Sequence, residues 1–197
     1  SDGWTDLAGY ERYTARPRLF WEGQNGATLY TTAGVMAESR KGGTFKDNVV
    51  SDGQPFKQKQ DSRRLDAGVV YTTPVTGVHT LNSRGSFMRQ DHDHTYGIDP
   101  ESDKHNSALF ETSLAGYTDR SDWVVGVAYQ SEELTSATYP EFNYSYQVPG
   151  LFTQTNYVVT DEVTASASAR LDEHSEYGTQ FSPRISLLYT PGPLTIR

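Results

Sequence analysis

Residues 12–22 read R-Y-T-A-R-P-R-L-F-W-E. One parity holds Tyr13, Ala15, Pro17, Leu19 and Trp21. The other holds Arg12, Thr14, Arg16, Arg18, Phe20 and Glu22, and so carries all of the charge. Strand side chains point alternately to opposite faces, so this spacing predicts one extended strand with a charged side and an uncharged side.

The same period of two runs outward from this stretch. Thr28–Arg40 sets Leu29, Ala33, Val35 and Ala37 against Thr32, Gly34, Glu38 and Arg40. Arg64–Thr72 sets Leu65, Val69 and Tyr71 against Arg64, Asp66 and Thr72. Val78–His94, Ser107–Tyr117, Trp123–Glu132, Leu151–Val158, Val163–His174 and Phe181–Tyr189 repeat the pattern, and a tenth strand is expected near Leu194. Short turn signals at 23–26, 73–77, 119–122, 160–162 and 191–193 alternate with longer polar stretches at 41–63, 95–106, 135–150 and 175–180, which read as loops. Short turns alternating with long loops describe an antiparallel up-and-down transmembrane β-barrel segment of about nine to ten strands.

A second signal is independent of the alternation. Trp21, Tyr71, Trp123, Tyr157 and Tyr189 all lie on the apolar parity beside a short turn. Aromatic rings at one height form the girdle that a membrane interface favours. A soluble sandwich predicts the same alternation, but neither the one-sided aromatics nor runs this much longer than the ~5–6 residues of soluble strands.

Composition narrows the field. The 197 residues carry 17 basic and 25 acidic side chains, a net charge of −8, which argues against a nucleic-acid partner. There is no cysteine, hence no disulfide and no thiolate metal site. No apolar run approaches the ~18 residues of a membrane helix. The opening Ser1 and an end inside a strand read as a piece of a longer protein. A nine-stranded sheet leaves two open edges, which lipid does not tolerate, so the piece is not expected to fold stably alone.

The last quarter, Gly150–Arg197, contains in order G-L-F-T-Q, Tyr157 near a turn, a small-residue strand ending R-L-D, H-S-E-Y-G, S-P-R, and L-T-I-R. This order resembles the mid-barrel signature of TonB-dependent outer-membrane receptors. The matching residues are Gly150, Phe152, Gln154, Tyr157, Arg170, Asp172, 174–178 and 182–184. R-P-R-L-F at 16–20 and E-S-R-K-G-G-T at 38–44 resemble strands and a loop entry of iron-complex receptors more loosely.

The resemblance implies a barrel of about 22 strands with a plug domain in its lumen. Residues 1–197 would be part of the barrel domain, with the plug and the remaining strands lying outside it. It further implies residence in the Gram-negative outer membrane, contact with outer-membrane lipid, and active import of a scarce nutrient, most often a ferric siderophore. The energy comes through TonB, by way of a segment outside this chain, and no cofactor is implied. The charged parity then faces lumen and plug: Arg16, Arg18, Arg64, Asp66, Arg84, Glu111, Arg170, Asp172 and Arg184. A hydrated charged wall holds a plug through weak, wet contacts, and it equally serves plain solubility. Arg170 and Asp172 share a face and are expected to pair with neighbouring strands.

Three clusters are candidates for ligand chemistry. In Q-D-H-D-H (90–94), His92 and His94 share a face and His105 lies nearby; they suit a transition metal, or are simply a polar strand end. In the expected loop 135–150, Tyr139, Phe142, Tyr144 and Tyr146 suit stacking on an aryl ligand or a sugar, or loop self-packing. Lys41, Lys46, Lys57, Lys59 and Arg63 suit attraction of an anion, or a solvated loop. No catalytic motif is present, and Glu132 and Glu133 point to opposite faces, so no enzyme is expected. Active uptake is the leading function. A passive porin and a soluble glycan-binding sheet are the alternatives.

Overall fold

Each period-two run pairs with the next one along the chain. The computed structural model describes residues 3–5, 8–45 and 53–196. Its strands are β1 (Gly9–Ala15), β2 (Arg18–Glu22), β3 (Thr28–Gly43), β4 (Lys57–Thr76), β5 (His79–Tyr96), β6 (Asp99–Tyr117), β7 (Ser121–Ser136), β8 (Tyr144–Thr160), β9 (Val163–His174) and β10 (Gly178–Tyr189). They form one antiparallel up-and-down sheet in chain order, with β1 and β2 both on β3.

The first run is broken at Arg16–Pro17. Ala15 pairs with Val35 and Arg18 with Thr32, so the register does not slip across the break. Pro17 has no N–H to give the ladder, but its carbonyl still accepts from Ala33 N at 3.3 Å. This break makes the tenth strand. At the expected tenth position the structure has only an isolated bridge between Tyr189 and Ile196.

Partners across an antiparallel ladder share a face. Following them from β1 to β10 keeps Arg12, Glu38, Ser62, His92 and Asp103 on one face, and Arg84, Glu111, Gly150, Asp172 and Gln180 on the same face. The other face carries Leu29, Val69, Tyr71, Phe87, Phe110, Val125, Val127, Leu151, Leu171 and Ile185. That apolar face is bare: Ile185 is 84% exposed and Phe181 64%, and Ala27 and Ala128 are the only buried hydrophobic residues among those described. A soluble sandwich would cover this face with a second sheet, and among the described residues none does.

All five turn-end aromatics lie on the apolar face. From Tyr71 the register leads through Ser83, Thr112, Val127, Leu151 and Leu171 to Phe181, whereas the turn-end ring of β10 is Tyr189, eight residues further on. Eight residues over six strand steps, at ~3.3 Å per residue and ~4.8 Å per step, set a lean of roughly 40° for strands that hold these rings level. That is the tilt of outer-membrane barrel strands. A second aromatic row, absent from the sequence reading, lies further up the same face: Tyr13, Tyr129 and Phe181 stand six to eight residues from Trp21, Trp123 and Tyr189, and Phe87 lies opposite Ala67, four residues from Tyr71. Between the rows the face carries no charge, only apolar residues, small residues and hydroxyls such as Ser83 and Thr112. Above the upper row it turns charged, with Asp61 and Arg63 on β4, Arg89 and Asp91 on β5, Lys104 on β6 and Glu133 on β7.

The expected long loops are mostly strand. β5 and β6 continue to Tyr96 and Asp99 around Gly97, whose φ of 65° closes a two-residue hairpin. Only 137–143 of the expected loop 135–150 leaves the sheet, with a 3-10 turn at Pro140–Phe142, and β9 joins β10 through 175–177. Of the expected loop 41–63, residues 41–43 and 57–63 are strand, and Lys46 lies outside the described residues. Polarity on both faces suggested loops, but backbone pairing needs no apolar side chain. Strands of 18 to 20 residues in β4 to β6 simply outrun the ~9–11 that a membrane requires.

This extension is testable. Asp91 lies opposite Lys104, so in the full-length protein the pair Asp91→Cys/Lys104→Cys should form a disulfide on mild oxidation. The staggered pair Asp91→Cys/Asp99→Cys should not. Equal yields would mean that these residues are a loop after all.

Candidate functional site

The polar face has two zones. The lower one is a wall of arginine–carboxylate pairs. Glu38, with its side chain only 4% exposed, sits between Arg12 and Arg40, the latter at 2.5 Å. Asp66 sits between Arg16 at 2.8 Å and Arg64 at 3.3 Å. Arg84 pairs directly across strands with Glu111 at 2.9 Å. Among the described residues, Arg18 and Arg184 close no ion pair. Arg184 lines a polar hollow of about 220 Å³ with Gln154, Asn156 and Ser168.

Glycines make room for two of these carboxylates. Gly34 lies opposite Asp66, and a Cβ there would stand 2.7 Å from Asp66 Oδ2. Gly150 lies opposite Asp172, and a Cβ there would collide with Asp172 Oδ1, a buried atom without a hydrogen bond.

The residues of the last quarter converge at this second place. Phe152 lies opposite Arg170, whose guanidinium is 6.0 Å from the ring centroid, and Ser182 lies opposite Arg170 on its other side. Arg170 Nε donates to Asp172 Oδ2 at 2.7 Å, so the two pair with each other along β9 rather than with neighbouring strands. The cause is the gap left by Gly150: the Asp172 carboxylate folds into it and draws Arg170 alongside.

The upper zone is aromatic, imidazole-rich and acidic. Tyr144 and Tyr146, expected in a loop, are the first polar-face residues of β8, because Tyr144 and Ser145 already pair with Leu134 and Glu133 of β7. Their rings stack at 4.7 Å. Tyr146 packs on His174 at 5.0 Å and on Tyr177 at 6.0 Å, so the H-S-E-Y-G turn closes onto β8. The Tyr144 hydroxyl donates to Glu132 Oε1 at 3.1 Å, and His105 Nε2 reaches the same oxygen at 3.1 Å.

On β5, His92, His94 and Tyr96 form a ladder of rings at 5.4 and 5.9 Å. Ser62 Oγ lies 2.8 Å from His92 Nδ1, and Gln90 contacts Nε2. His105 stands opposite Gln90 and turns to Glu132, so the three histidines do not converge on one point. Tyr139 and Phe142 stand in the loop, edge to face at 6.1 Å, 42% and 64% exposed, and the Tyr139 hydroxyl donates to Glu101 at 3.3 Å.

Three phenols here are raised above the ordinary tyrosine pKa. For Tyr139 the cause is the Glu101 charge, for Tyr144 burial followed by Glu132, and for Tyr146 the hydrogen bond with Tyr177. They therefore remain neutral hydrogen-bonding groups, and the stacked Tyr144–Tyr146 pair extends the aromatic surface that a further ring could join. Sequence reasoning missed Tyr96, Glu101, His105 as a partner of Glu132, His174 and Tyr177. Following the register along the parity would have grouped them.

Solved structures carry the same architecture. The chain aligns with the siderophore receptor PirA from Pseudomonas aeruginosa at a TM-score of 0.70 and 14% identity, over 93% of this chain and 31% of that one. A mutant of the ferric enterobactin receptor PfeA from Pseudomonas aeruginosa gives 0.69 and 13%, over 94% and 32%. The RagAB peptide importer gives 0.66 and 9%, over 92% and 30%. The fold is that of an outer-membrane receptor barrel. The chain spans about a third of the length of the structures it matches. No protein-family model and no curated protein matches the sequence.

The role of Gly34 in the receptor-barrel wall can be measured. Gly34→Ala should drive the Asp66 carboxylate off Arg16 and Arg64 and cost roughly 1–3 kcal/mol. The readout is the urea midpoint of the full-length protein in lipid vesicles. Gly85→Ala, where the nearest atom is a Val69 methyl at 3.4 Å, should leave the midpoint unchanged.

Proposed function

We propose that this chain is a wall segment of an outer-membrane receptor that imports a scarce nutrient in a TonB-dependent manner, a ferric siderophore first among the cargoes. The reading is carried by one observation. A single sheet, with a bare apolar band on one face and a charged wall on the other, has the register stagger of a tilted membrane barrel. The likeness to two siderophore receptors supports the cargo class.

In this reading residues 1–197 are part of the barrel domain of a longer protein that also supplies the remaining strands, a plug and the TonB-contacting segment. Trp21, Tyr71, Trp123, Tyr157 and Tyr189 lie at the periplasmic lipid interface. Arg16, Arg18, Arg64, Asp66, Arg84, Glu111, Arg170, Asp172 and Arg184 face the lumen and its plug. Glu38, Asp66, Glu111 and Asp172 each already have an arginine, and the arginines of this wall outnumber the carboxylates, so a plug meets a wall with positive charge to spare, in exposed contacts that are individually weak and suit reversible docking. His92, His94, Tyr139, Phe142, Tyr144 and Tyr146 stand at the extracellular end, where a ligand arrives. Their aromatic rings suit a stacked aryl group. A peptide is the second reading, because Glu101, Asp103 and Glu132 share that face and suit an amine.

The test is uptake of iron-loaded siderophores by cells expressing the full-length gene, with and without TonB. Uptake should fall to background without TonB. Tyr144→Ala/Tyr146→Ala should weaken ligand binding roughly tenfold, as expected for two lost stacking faces, at unchanged surface abundance. Uptake that persists without TonB would make the same wall that of a passive pore.

A further inference from the structure

The chain is acidic as a whole, yet its lysines are gathered in one place. Of five lysines, the four described ones, Lys41, Lys57, Lys59 and Lys104, lie on the face that carries the apolar band, beyond its upper edge. Arg63 and Arg89 join them there, one step above Leu65 and Phe87 on β4 and β5. All six cations are exposed. They occupy β3 to β6 only. At the same level β7 carries Glu133 and β9 carries Glu173, so the patch is local and not a general trait of the rim.

The anions on this patch do not balance it. Glu11, Asp61, Asp91 and Asp93 share the face, four anions against six cations. Lys59 pairs with Asp61 at 2.5 Å and Arg89 with Asp91 at 3.3 Å. Lys41, Lys57, Arg63 and Lys104 close no ion pair among the described residues. Lys41 lies directly opposite Lys59, and the two share the single carboxylate of Asp61, so one of these like charges is left over for a further anion.

We propose that this patch binds the phosphorylated headgroups of outer-leaflet lipid. The inference rests on the outer-membrane reading above, and two arguments commit it to lipid. The patch is continuous with the apolar band and its upper aromatic row, so an acyl chain against Val69 or Phe87 brings its headgroup to Arg63 and Arg89. The charge is also lysine-rich: solvated point charges meet phosphates of varied geometry. The arginine pairs of the other face hold fixed partners instead. Each cation close to an anionic lipid surface strengthens binding roughly fivefold, and salt screens the effect.

The experiment purifies the full-length protein from outer membranes and measures binding of bisphosphorylated lipid A. It compares wild type with the quadruple variant Lys41→Gln/Lys57→Gln/Lys59→Gln/Lys104→Gln. Binding should fall at least tenfold in the variant and recover when the same four positions carry arginine. Dephosphorylated lipid A should bind wild type as weakly as the variant binds the phosphorylated lipid, and inorganic phosphate at millimolar concentration should not displace the lipid. Equal binding by wild type and the glutamine variant overturns the inference alone. Displacement by inorganic phosphate overturns the lipid assignment in favour of a free-anion site. Failure to recover wild type in the outer-membrane fraction overturns the membrane reading and the inference with it.

Discussion

Every backbone N–H and C=O of a sheet placed in lipid must find its partner on a neighbouring strand. With the ladders thus obligatory, the side chains must sort between two unlike solvents by parity alone. A single extra residue inside the band would send apolar side chains to the wet face and charges to the lipid. The register follows this constraint closely. Its two irregularities, between Pro74 and Thr76 and between Val158 and Thr160, fall at the turn ends of β4 and β8, beyond Tyr71 and Tyr157. Even the break at Pro17 keeps its count, because Ala15 and Arg18 meet Val35 and Thr32 on the unshifted register.

That constraint explains why the fold was legible. A strand with one face in lipid and one in water must alternate, so Arg12–Glu22 and the runs after it announce themselves. Legibility ended where the apolar band ended. Between 95 and 106 both faces are largely polar, and a polar stretch reads as a loop. The structure continues the hairpin to Gly97 nonetheless, since its ladder is held by backbone bonds that the side-chain pattern does not report. The same blindness put Tyr144 and Tyr146 in a loop. The upper aromatic row was missed for another reason: its rings adjoin no short turn, and only the register aligns them.

The site was legible by composition and not by contact. Arg16, Arg64 and Asp66 were placed on one wall, but not the sharing of Asp66 between the two arginines, which depends on Gly34 across the ladder leaving space for the carboxylate. Arg170 and Asp172 were expected to reach outward to other strands. They close on each other because Gly150 opens a gap beside Asp172 and Phe152, two residues on along the same strand, covers the guanidinium. An absent side chain decides both arrangements, and a pattern of charges does not record absences.

Net charge conceals more than it tells in a two-faced sheet. A balance of −8 argues correctly against a general polyanion binder, yet it averages over surfaces that never meet the same solvent. On the polar face the wall carboxylates are taken by arginine, and arginine is in excess: Glu38 holds Arg12 and Arg40, Asp66 holds Arg16 and Arg64, and Glu111 holds Arg84. At its upper end Glu101, Asp103 and Glu132 stand among aromatic rings without lysine. The lysines stand on the opposite face, past the apolar band. Arginine thus serves where a partner is fixed and geometry matters, and lysine where the charge meets solvent and whatever anion lies there. The alternation that made the fold readable also sorts these charges. The electrostatic character of such a chain is therefore a property of each face at each height, and only the register assigns it.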